Sequence, residues 1–590
     1  DRGQSYAWAA MAYGDYVYVG TCYAAMGKTL SAMDTVMGHK FDEETMRAEL
    51  NAIFNGTFFY GEEDGGVSDG ILVKINVHTG EVKLIMANSL NGVTPLFRNA
   101  ILYKDKLYLR PKVLTDNLRF ASGDLFNERD VQQTYSSFGR LSALKYTNIR
   151  FIETQVGDST MLDCYVMLTK SKHKSVSFEV EGTNSAGDLG AAASVSFQNR
   201  NLFRGSETFM IKFRGAYEVI SGLQAGYSNN NYTEYGVETS INFPNFLFPF
   251  ISSDFKRKIR ATTEFGLQYN YQLRPEFLRT MASANWSYKW TQRQKIQHRI
   301  DLINIAFLYL PRISERFKED YINKGQNHIF QYNYQDRLII NMGYSYNYNS
   351  VGGSIINNTI ASNSYSIRFN FESAGNVMYA LSKAANIRKN SNGEYAILGI
   401  PYAQYLKGEF DFAKNIRIDY RNSFAFHAGV GIAVPYGNAK TIPFEKQYFS
   451  GGANSVRGWS VRDLGPGSFA GNGNLLDQSG DIKLDASIEY RSKLFWKFQG
   501  AVFIDAGNIW TIRSYANQPG GVFKFDRFYK QIAVAYGLGL RLDLDFFILR
   551  FDGGMKAVNP AYETRKEHFP IIHPKFSRDF AFHFAVGYPF

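Results

Sequence analysis

Ile532-Ala533-Val534-Ala535-Tyr536-Gly537-Leu538-Gly539-Leu540-Arg541-Leu542-Asp543 sets a large apolar residue at every second position and a small or polar one between. Period two belongs to an extended strand with two unlike faces. The same alternation runs through Phe265, Leu267, Tyr269 and Tyr271, with Glu264, Gly266, Gln268 and Asn270 between them. It returns at Met342, Tyr344, Tyr346 and Tyr348, and again from Phe424 to Val434. A soluble sandwich also alternates, so length decides. Runs of about ten residues cross a bilayer when tilted, and aromatics near strand ends suit interfacial girdles. The pattern begins near residue 175 and lasts about 415 residues without a helical interlude, far beyond one sandwich. A closed barrel satisfies every backbone group in lipid and leaves no edge. At about 26 residues per strand and connection, the segment holds about 16 antiparallel strands, an even number as bacterial barrels prefer.

Composition agrees with a mostly β chain. Among 590 residues there are 48 Phe, 39 Tyr and 6 Trp, and 45% are hydrophobic. Mean hydropathy is nevertheless −0.27, so the apolar residues are interleaved with polar ones. No apolar run approaches the length of a helical span, about 18 residues. Aromatic and β-branched content excludes general disorder. Two cysteines, Cys22 and Cys164, make no disulfide framework. The net charge of +11 is spread along the chain and matches no nucleic-acid motif. A start at Asp1 with no signal peptide reads as a mature or truncated product.

Ahead of the barrel (172–590) lie two different textures. Residues 108–171 read as a small α+β unit. Lys112 to Leu114 is expected as a short strand and Asn127 as the cap of a helix through Tyr135. Leu141 to Tyr146 is expected as a second helix. Asn148 to Glu153 and Leu162 to Thr169 are expected as strands joined by a turn at Gly157-Asp158. Residues 1–107 read as β-hairpins around Gly14-Asp15, His78-Thr79-Gly80 and Lys104-Asp105, with a helix near Glu43 to Ile53. Their texture is propeller-like, but a closed propeller needs at least four blades of about 40–50 residues. The segment is therefore expected to be a fragment, an accessory domain or a foreign fusion of unknown role.

One string stands out: Pro443-Phe444-Glu445-Lys446-Gln447-Tyr448-Phe449-Ser450-Gly451-Gly452-Ala453-Asn454-Ser455-Val456-Arg457-Gly458-Trp459. Here the chain resembles the outer-membrane assembly factor superfamily of BamA and TamA type. Val456, Arg457, Gly458 and Trp459 match its VRG-aromatic tetrad, carried on a loop, about 440–480, folded back into the barrel. Asn199 to Gly205 resembles the first barrel turn of that family. Phe503-Ile504-Asp505-Ala506-Gly507 resembles its F-x-D-x-G strand, and the terminal Phe590 resembles its assembly signal. The unit at 108–171 resembles a POTRA domain, in wording closest to the TamL lipoproteins of Bacteroidetes. The resemblance implies a bacterial outer-membrane protein with its POTRA-type domain in the periplasm. It implies assembly or export of other β-barrel or surface proteins, unfolded outer-membrane clients and outer-membrane lipids as partners, and a TamB-like periplasm-spanning protein as a further one. It implies no enzyme activity, cofactor, metal or nucleic acid.

Parity assigns the partners. Val502, Ile504 and Ala506 suit lipid, which turns Phe503, Asp505 and Gly507 inward. Phe547, Leu549 and Phe551 suit lipid, which turns Arg550 and Asp552 inward. Arg457 is therefore expected to pair with Asp505, with Asp552 as second acid and Arg550 as competitor. In the last strand, Phe580, Phe582, Phe584, Val586, Tyr588 and Phe590 are expected to face lipid. A weak seam is expected between a first strand near Val176 to Gly182 and the last, because Gly182 and Gly587 weaken a ladder. The alternatives are a passive pore of two-partner-secretion type and a barrel-tethered patatin-like lipase. The lipase reading would use Ser68 in Gly66-Val67-Ser68-Asp69-Gly70, but an acidic turn precedes it and a strand follows, the wrong context for a nucleophile elbow. His568 and His573 flank Pro570 and read as loop residues rather than metal ligands.

Overall fold

The computed structural model describes residues 108–590 apart from 122, 157–158, 186–187, 220–230, 276, 316–334, 352–362, 472–476 and 546, and six short strands before them. The chain divides into two compact units, 1–118 and 119–590.

In the first unit, Gln4–Tyr13, Tyr16–Tyr23, Ile71–Asn76 and Val82–Ala87 form one antiparallel sheet in chain order. Leu102–Tyr103 pairs with Lys106–Leu107. The expected helix near Glu43 and the serine string at 66–70 lie outside the described residues. Helix α1 (Pro111–Asn117) ends this unit, where a strand at Lys112 to Leu114 was expected. Pro111 at the first helical position has its φ already set for a helix and lacks only an N–H that would have no partner there.

The second unit opens with α2 (Glu128–Gly139), whose cap is Asn127: its side chain accepts the Arg129 N–H. A hairpin follows, Leu144–Val156 with Ser159–Lys170. The expected helix at Leu141 to Tyr146 is instead a tight turn entering this hairpin. Leu141 and Ala143 are buried with Phe138, and the pull of that cluster plus a twelve-residue strand partner overrides local helix propensity. Tyr135 locks helix to hairpin, accepting the Ile149 N–H at 2.8 Å and donating to the Ile149 carbonyl at 3.2 Å.

The barrel strands follow: β1 (Lys174–Ser185), β2 (Asp188–Asn199), β3 (Thr208–Val219), β4 (Asn231–Phe243), β5 (Thr262–Leu273), β6 (Phe277–Gln292), β7 (Ile296–Ile313), β8 (Arg337–Asn349), β9 (Ser364–Ala374), β10 (Tyr405–Arg417), β11 (Asn422–Pro435), β12 (Ile482–Lys493), β13 (Phe498–Trp510), β14 (Ala533–Asp543), β15 (Ile548–Val558) and β16 (Phe580–Val586). They form one 16-stranded antiparallel sheet in chain order. Helix α3 (Ser253–Ile259) lies between β4 and β5, and α4 (Asn376–Ala384) between β9 and β10. The outer face keeps its large apolar residues uncovered: Leu538 is 68% exposed, Ile504 54% and Phe584 51%. Solvent would penalise such a face, whereas lipid takes it up. The inward residues of β12 to β15 are polar and buried, among them Glu489, Asp505, Arg541, Arg550 and Asp552. No helix among the described residues is long and apolar enough to cross a membrane.

A 16-stranded ladder of this kind resists detergent. The folded protein is expected to migrate faster than a boiled sample in a cold detergent gel; equal mobility of the two would count against the barrel.

The two ends of the sheet fall where the weak seam was expected, between the first and last strands. Among the described residues, β1 bonds only to β2, and β16 only to β15. β16 stops at Val586 rather than running to Phe590. Gly587 takes φ +86°, a conformation costly for any side-chain-bearing residue, and the chain leaves the sheet there. The expected lipid-facing parity fails for the last residues. Tyr588 donates to Gln499 at 2.8 Å and covers the Arg491 guanidinium at 4.5 Å. Phe590 stacks on His427 with centroids 5.3 Å apart. One left-handed residue breaks the period of two, so the terminal aromatics turn inward.

Candidate functional site

Between β11 and β12, the described residues 436–471 and 477–481 pack inside the barrel. Gly451 and Gly452 take φ of +95° and +93°, which bends the chain into a narrow hairpin closed by the Gly452 N–H on the Trp459 carbonyl at 2.8 Å. Val456, Trp459 and Leu464 bury themselves against Ala533 and Ala535 of β14. Small residues let the loop touch the wall. A Cβ at Gly458 would come within 2.8 Å of the Ala535 Cβ, and one at Gly554 would overlap the Arg457 carbonyl.

Arg457 is 1% exposed and sits at the centre of the site. Its Nε and Nη2 donate to the two oxygens of Asp505, each at 2.8 Å, and its backbone N–H adds a third bond at 3.1 Å. Nη1 donates to Glu489 at 2.7 Å and lies 3.3 Å from Asp552. The Phe503 ring lies 3.4 Å from the guanidinium carbon, and His583 Nε2 donates to the Arg457 carbonyl at 3.0 Å. Burial by itself would lower the arginine pKa; the bonds to Asp505 and the charges of Glu489 and Asp552 outweigh it and hold the cation.

The structure thus brings Arg457 to Asp505 and, more loosely, to Asp552. Arg550 does not compete for Asp505: it donates to Asn454 at 2.5 Å and approaches Asp552 at 3.5 Å. Sequence reasoning missed Glu489, Arg491 and Arg541. Glu489 accepts from Arg491 at 2.7 Å and meets Arg541 at 2.8 Å. Arg541 and Arg550 stand directly opposite each other on β14 and β15. Like charges so placed repel, and the carboxylates of Glu489 and Asp552 offset this. The missed signal was available, since Ile488 and Tyr490 alternate around Glu489 as lipid-facing residues would. Gly182 of β1 lies opposite Ala191 of β2 with open space around it. His568 bonds the Tyr562 carbonyl at 2.8 Å through Nδ1.

Farther along, the loop reaches the opposite wall. Glu445 meets Arg279 of β6 at 3.0 Å, and Lys446 meets Glu372 of β9 at 2.8 Å. Tyr448 lies under the Lys407 ammonium of β10 at 4.4 Å. The loop therefore crosses the lumen.

Asp481 closes the loop base and is 1% exposed. Its carboxylate accepts the Ile512 N–H at 2.9 Å. Burial raises its pKa from 3.8 to about 6, against the smaller opposing effects of that bond and of Arg513. An acid with a raised folded pKa costs nothing below its unfolded value; stability falls as pH rises from 3.8 to about 6, and the penalty persists above. Asp481→Asn keeps the acceptor and should stabilise the barrel at pH 7.5 by on the order of 2–3 kcal/mol, with little gain near pH 4. Urea midpoints read by gel mobility at both pH values test this; a loss at pH 7.5 would refute it.

Comparisons with known proteins bear on the same region. The family model of the Omp85 superfamily domain matches residues 178–590. A curated relative, the outer membrane protein assembly factor BamA of Neisseria meningitidis serogroup B, is 35% identical over 95 residues, which is 15% of this chain and 11% of that protein. Among solved structures, BamA from Haemophilus ducreyi lacking POTRA domains 1–3 is similar with TM-score 0.52 and 14% identity, covering 88% of each chain. CdiB from Acinetobacter baumannii gives TM-score 0.42 and 11% identity over 81% of this chain and 71% of that one.

Proposed function

Because the chain belongs to the Omp85 superfamily and is a β-barrel of the bacterial outer membrane, we propose that it assembles or exports client β-barrel or surface proteins through a lateral seam between β1 and β16. The observation that carries this reading is the free edge of β1. Its backbone N–H and C=O groups have no ladder partner on one side among the described residues, and such an edge is a template for an incoming strand. Its outward residues Val176, Phe178 and Val180 keep it at lipid level. β16 contributes only seven residues to its own edge before Gly587 turns the chain inward. A client strand can therefore pair with β1 without first displacing a full-length partner.

In this reading the α2-hairpin unit is POTRA-type and periplasmic, and its two-stranded edge offers pairing to unfolded clients. The wording around Leu109 to Leu114 supports a TamL-like member, for which a TamB-like protein is the natural periplasm-spanning partner. The four-stranded sheet of Gln4–Tyr13, Tyr16–Tyr23, Ile71–Asn76 and Val82–Ala87 supports a blade-like accessory segment. Arg457 and Asp505 act as a pin for the loop rather than as reacting groups. The crossing of the lumen by that loop speaks against a passive pore.

Reconstitution tests the proposal. Vesicles holding the chain should fold an added outer-membrane barrel on the order of tenfold faster than empty ones, an effect worth about 1.4 kcal/mol of barrier. With Cys22 and Cys164 replaced by serine, a disulfide between cysteines at 180 and 584 should abolish the gain, and reduction should restore it. Undiminished activity with the seam locked would sink the lateral route. Steady ion conductance without assembly would favour the pore.

A further inference from the structure

Where the chain enters the barrel, α2, α3 and the turn between β6 and β7 enclose a cavity of ≈ 870 Å³. Five cations line it: Arg119, Arg129, Lys258, Arg260 and Arg293. Cations crowded into one concave site raise the local positive potential and favour an anion there. Two of the arginines are also held in costly backbone. Arg260 ends α3 with φ +55°, and Arg293 begins the β6–β7 turn with φ +53°. Glycine or asparagine is the ordinary choice there, and strain kept at a long cationic side chain points to a use for that side chain.

The cavity floor is the outer face of the barrel, not the lumen. Trp290, His298 and Tyr344 share the outward parity of Trp286 and Tyr288. Trp290 stacks on His298 at 4.6 Å, and His298 Nδ1 bonds the Tyr344 hydroxyl at 2.9 Å. Next to them, Leu247, Phe250 and Phe255 form an apolar fringe. Phe250 is 88% exposed, Phe255 45% and Leu247 42%, and the Leu247 backbone is tied to the wall by Tyr288 and Thr263. Aromatic residues at a strand end, an apolar fringe and a basic hollow above them are the arrangement of a membrane–water interface.

We propose that this cavity binds the phosphate of an anionic phospholipid from the adjoining leaflet, with the acyl chains lying on the aromatic floor. The phosphate oxygens would accept from guanidinium groups of both α2 and the barrel, a geometry for which arginine is suited. The lipid would then reinforce an existing latch. Arg260 donates to Gln133 of α2 at 2.8 Å, and the Arg260 carbonyl accepts from Arg140 at 3.0 Å. Burial lowers the pKa of Arg140 to about 10, and the charges of Arg260 and Arg119 push the same way. A bound anion relieves that repulsion. A free inorganic anion would satisfy the cations but would leave the apolar floor and fringe without a role, which favours the lipid. The site is independent of the assembly reading, because a passive pore would keep it.

The test uses the full chain purified in detergent and titrated with phosphatidylglycerol or with phosphatidylethanolamine, counting bound lipid by native mass spectrometry. Phosphatidylglycerol should be retained on the order of fivefold more strongly. Arg129 and Arg293 are exposed and outside the latch, so Arg129→Gln with Arg293→Gln should erase the preference while the gel shift on boiling persists. Millimolar inorganic phosphate should leave phosphatidylglycerol bound. Equal retention of the two lipids, an unchanged preference in the double variant, or complete displacement by inorganic phosphate would each overturn the proposal.

Discussion

Arg457→Ala is expected to cut client assembly by at least two orders of magnitude while leaving a heat-modifiable barrel. The alanine removes four hydrogen bonds that fasten the loop, two to Asp505 and one each to Glu489 and Asp552, together with the contact with Phe503. Breaking a buried pair by deleting one partner costs about 3–5 kcal/mol, because the remaining charge stays buried. Here that charge is mainly Asp505, which among the described residues keeps only the backbone N–H of residue 457. Glu489 is spared, since Arg491 and Arg541 still face it. The loss therefore falls on the loop rather than on the wall. Arg457→Lys keeps the charge but not the two-pronged geometry and should rescue only part. Limited proteolysis of intact vesicles reads loop release directly: new cleavage between 440 and 480 is expected in the alanine variant. Wild-type assembly together with a protease-resistant loop would show that the pin is dispensable.

Leu538→Arg should deplete the folded outer-membrane pool more than any change on the inner face of the same strand that preserves volume. Leu538 stands at the middle of β14 and is 68% exposed on the outer surface. An arginine at the bilayer midplane costs about 2–4 kcal/mol. Leu538→Tyr removes the charge effect while keeping bulk and should be close to neutral. Heat-modifiable material in isolated outer membranes gives the ratio; equal yields of the two variants would mean that this face does not meet lipid.

The barrel and its inward acids were legible because both follow from period two. Once Val502 and Ile504 are assigned to lipid, Asp505 has nowhere to point but inward, and the same logic fixes Asp552. The logic ends where the period ends. Gly587 changes the backbone rather than the pattern of side chains, so nothing in the string Val586-Gly587-Tyr588-Pro589-Phe590 announced that its aromatics would turn onto Arg491 and His427. Glu489 carries no motif of its own: it lies on the strand beside Asp505, and only its parity between Ile488 and Tyr490 marks it as inward. The strand beginning at Leu144 depended on a hairpin partner that short propensity windows do not contain, whereas the helix at Pro111–Asn117 follows from Pro111 at its first position.

The loop that crosses the lumen also has a mechanical meaning. In a ring, a rigid chord fixes the separation of the two points it joins and leaves the arc outside them free to bend. The chord here runs from the ion pairs on β6 and β9 to the arginine cluster on β12, β13 and β15. Strands between those anchors are braced. The unbraced arc is β1 to β5, which adjoins the seam. Widening at the seam should therefore be taken up by flexing of that arc, as a gate swings on its own side of a fixed post, while the far wall keeps its shape.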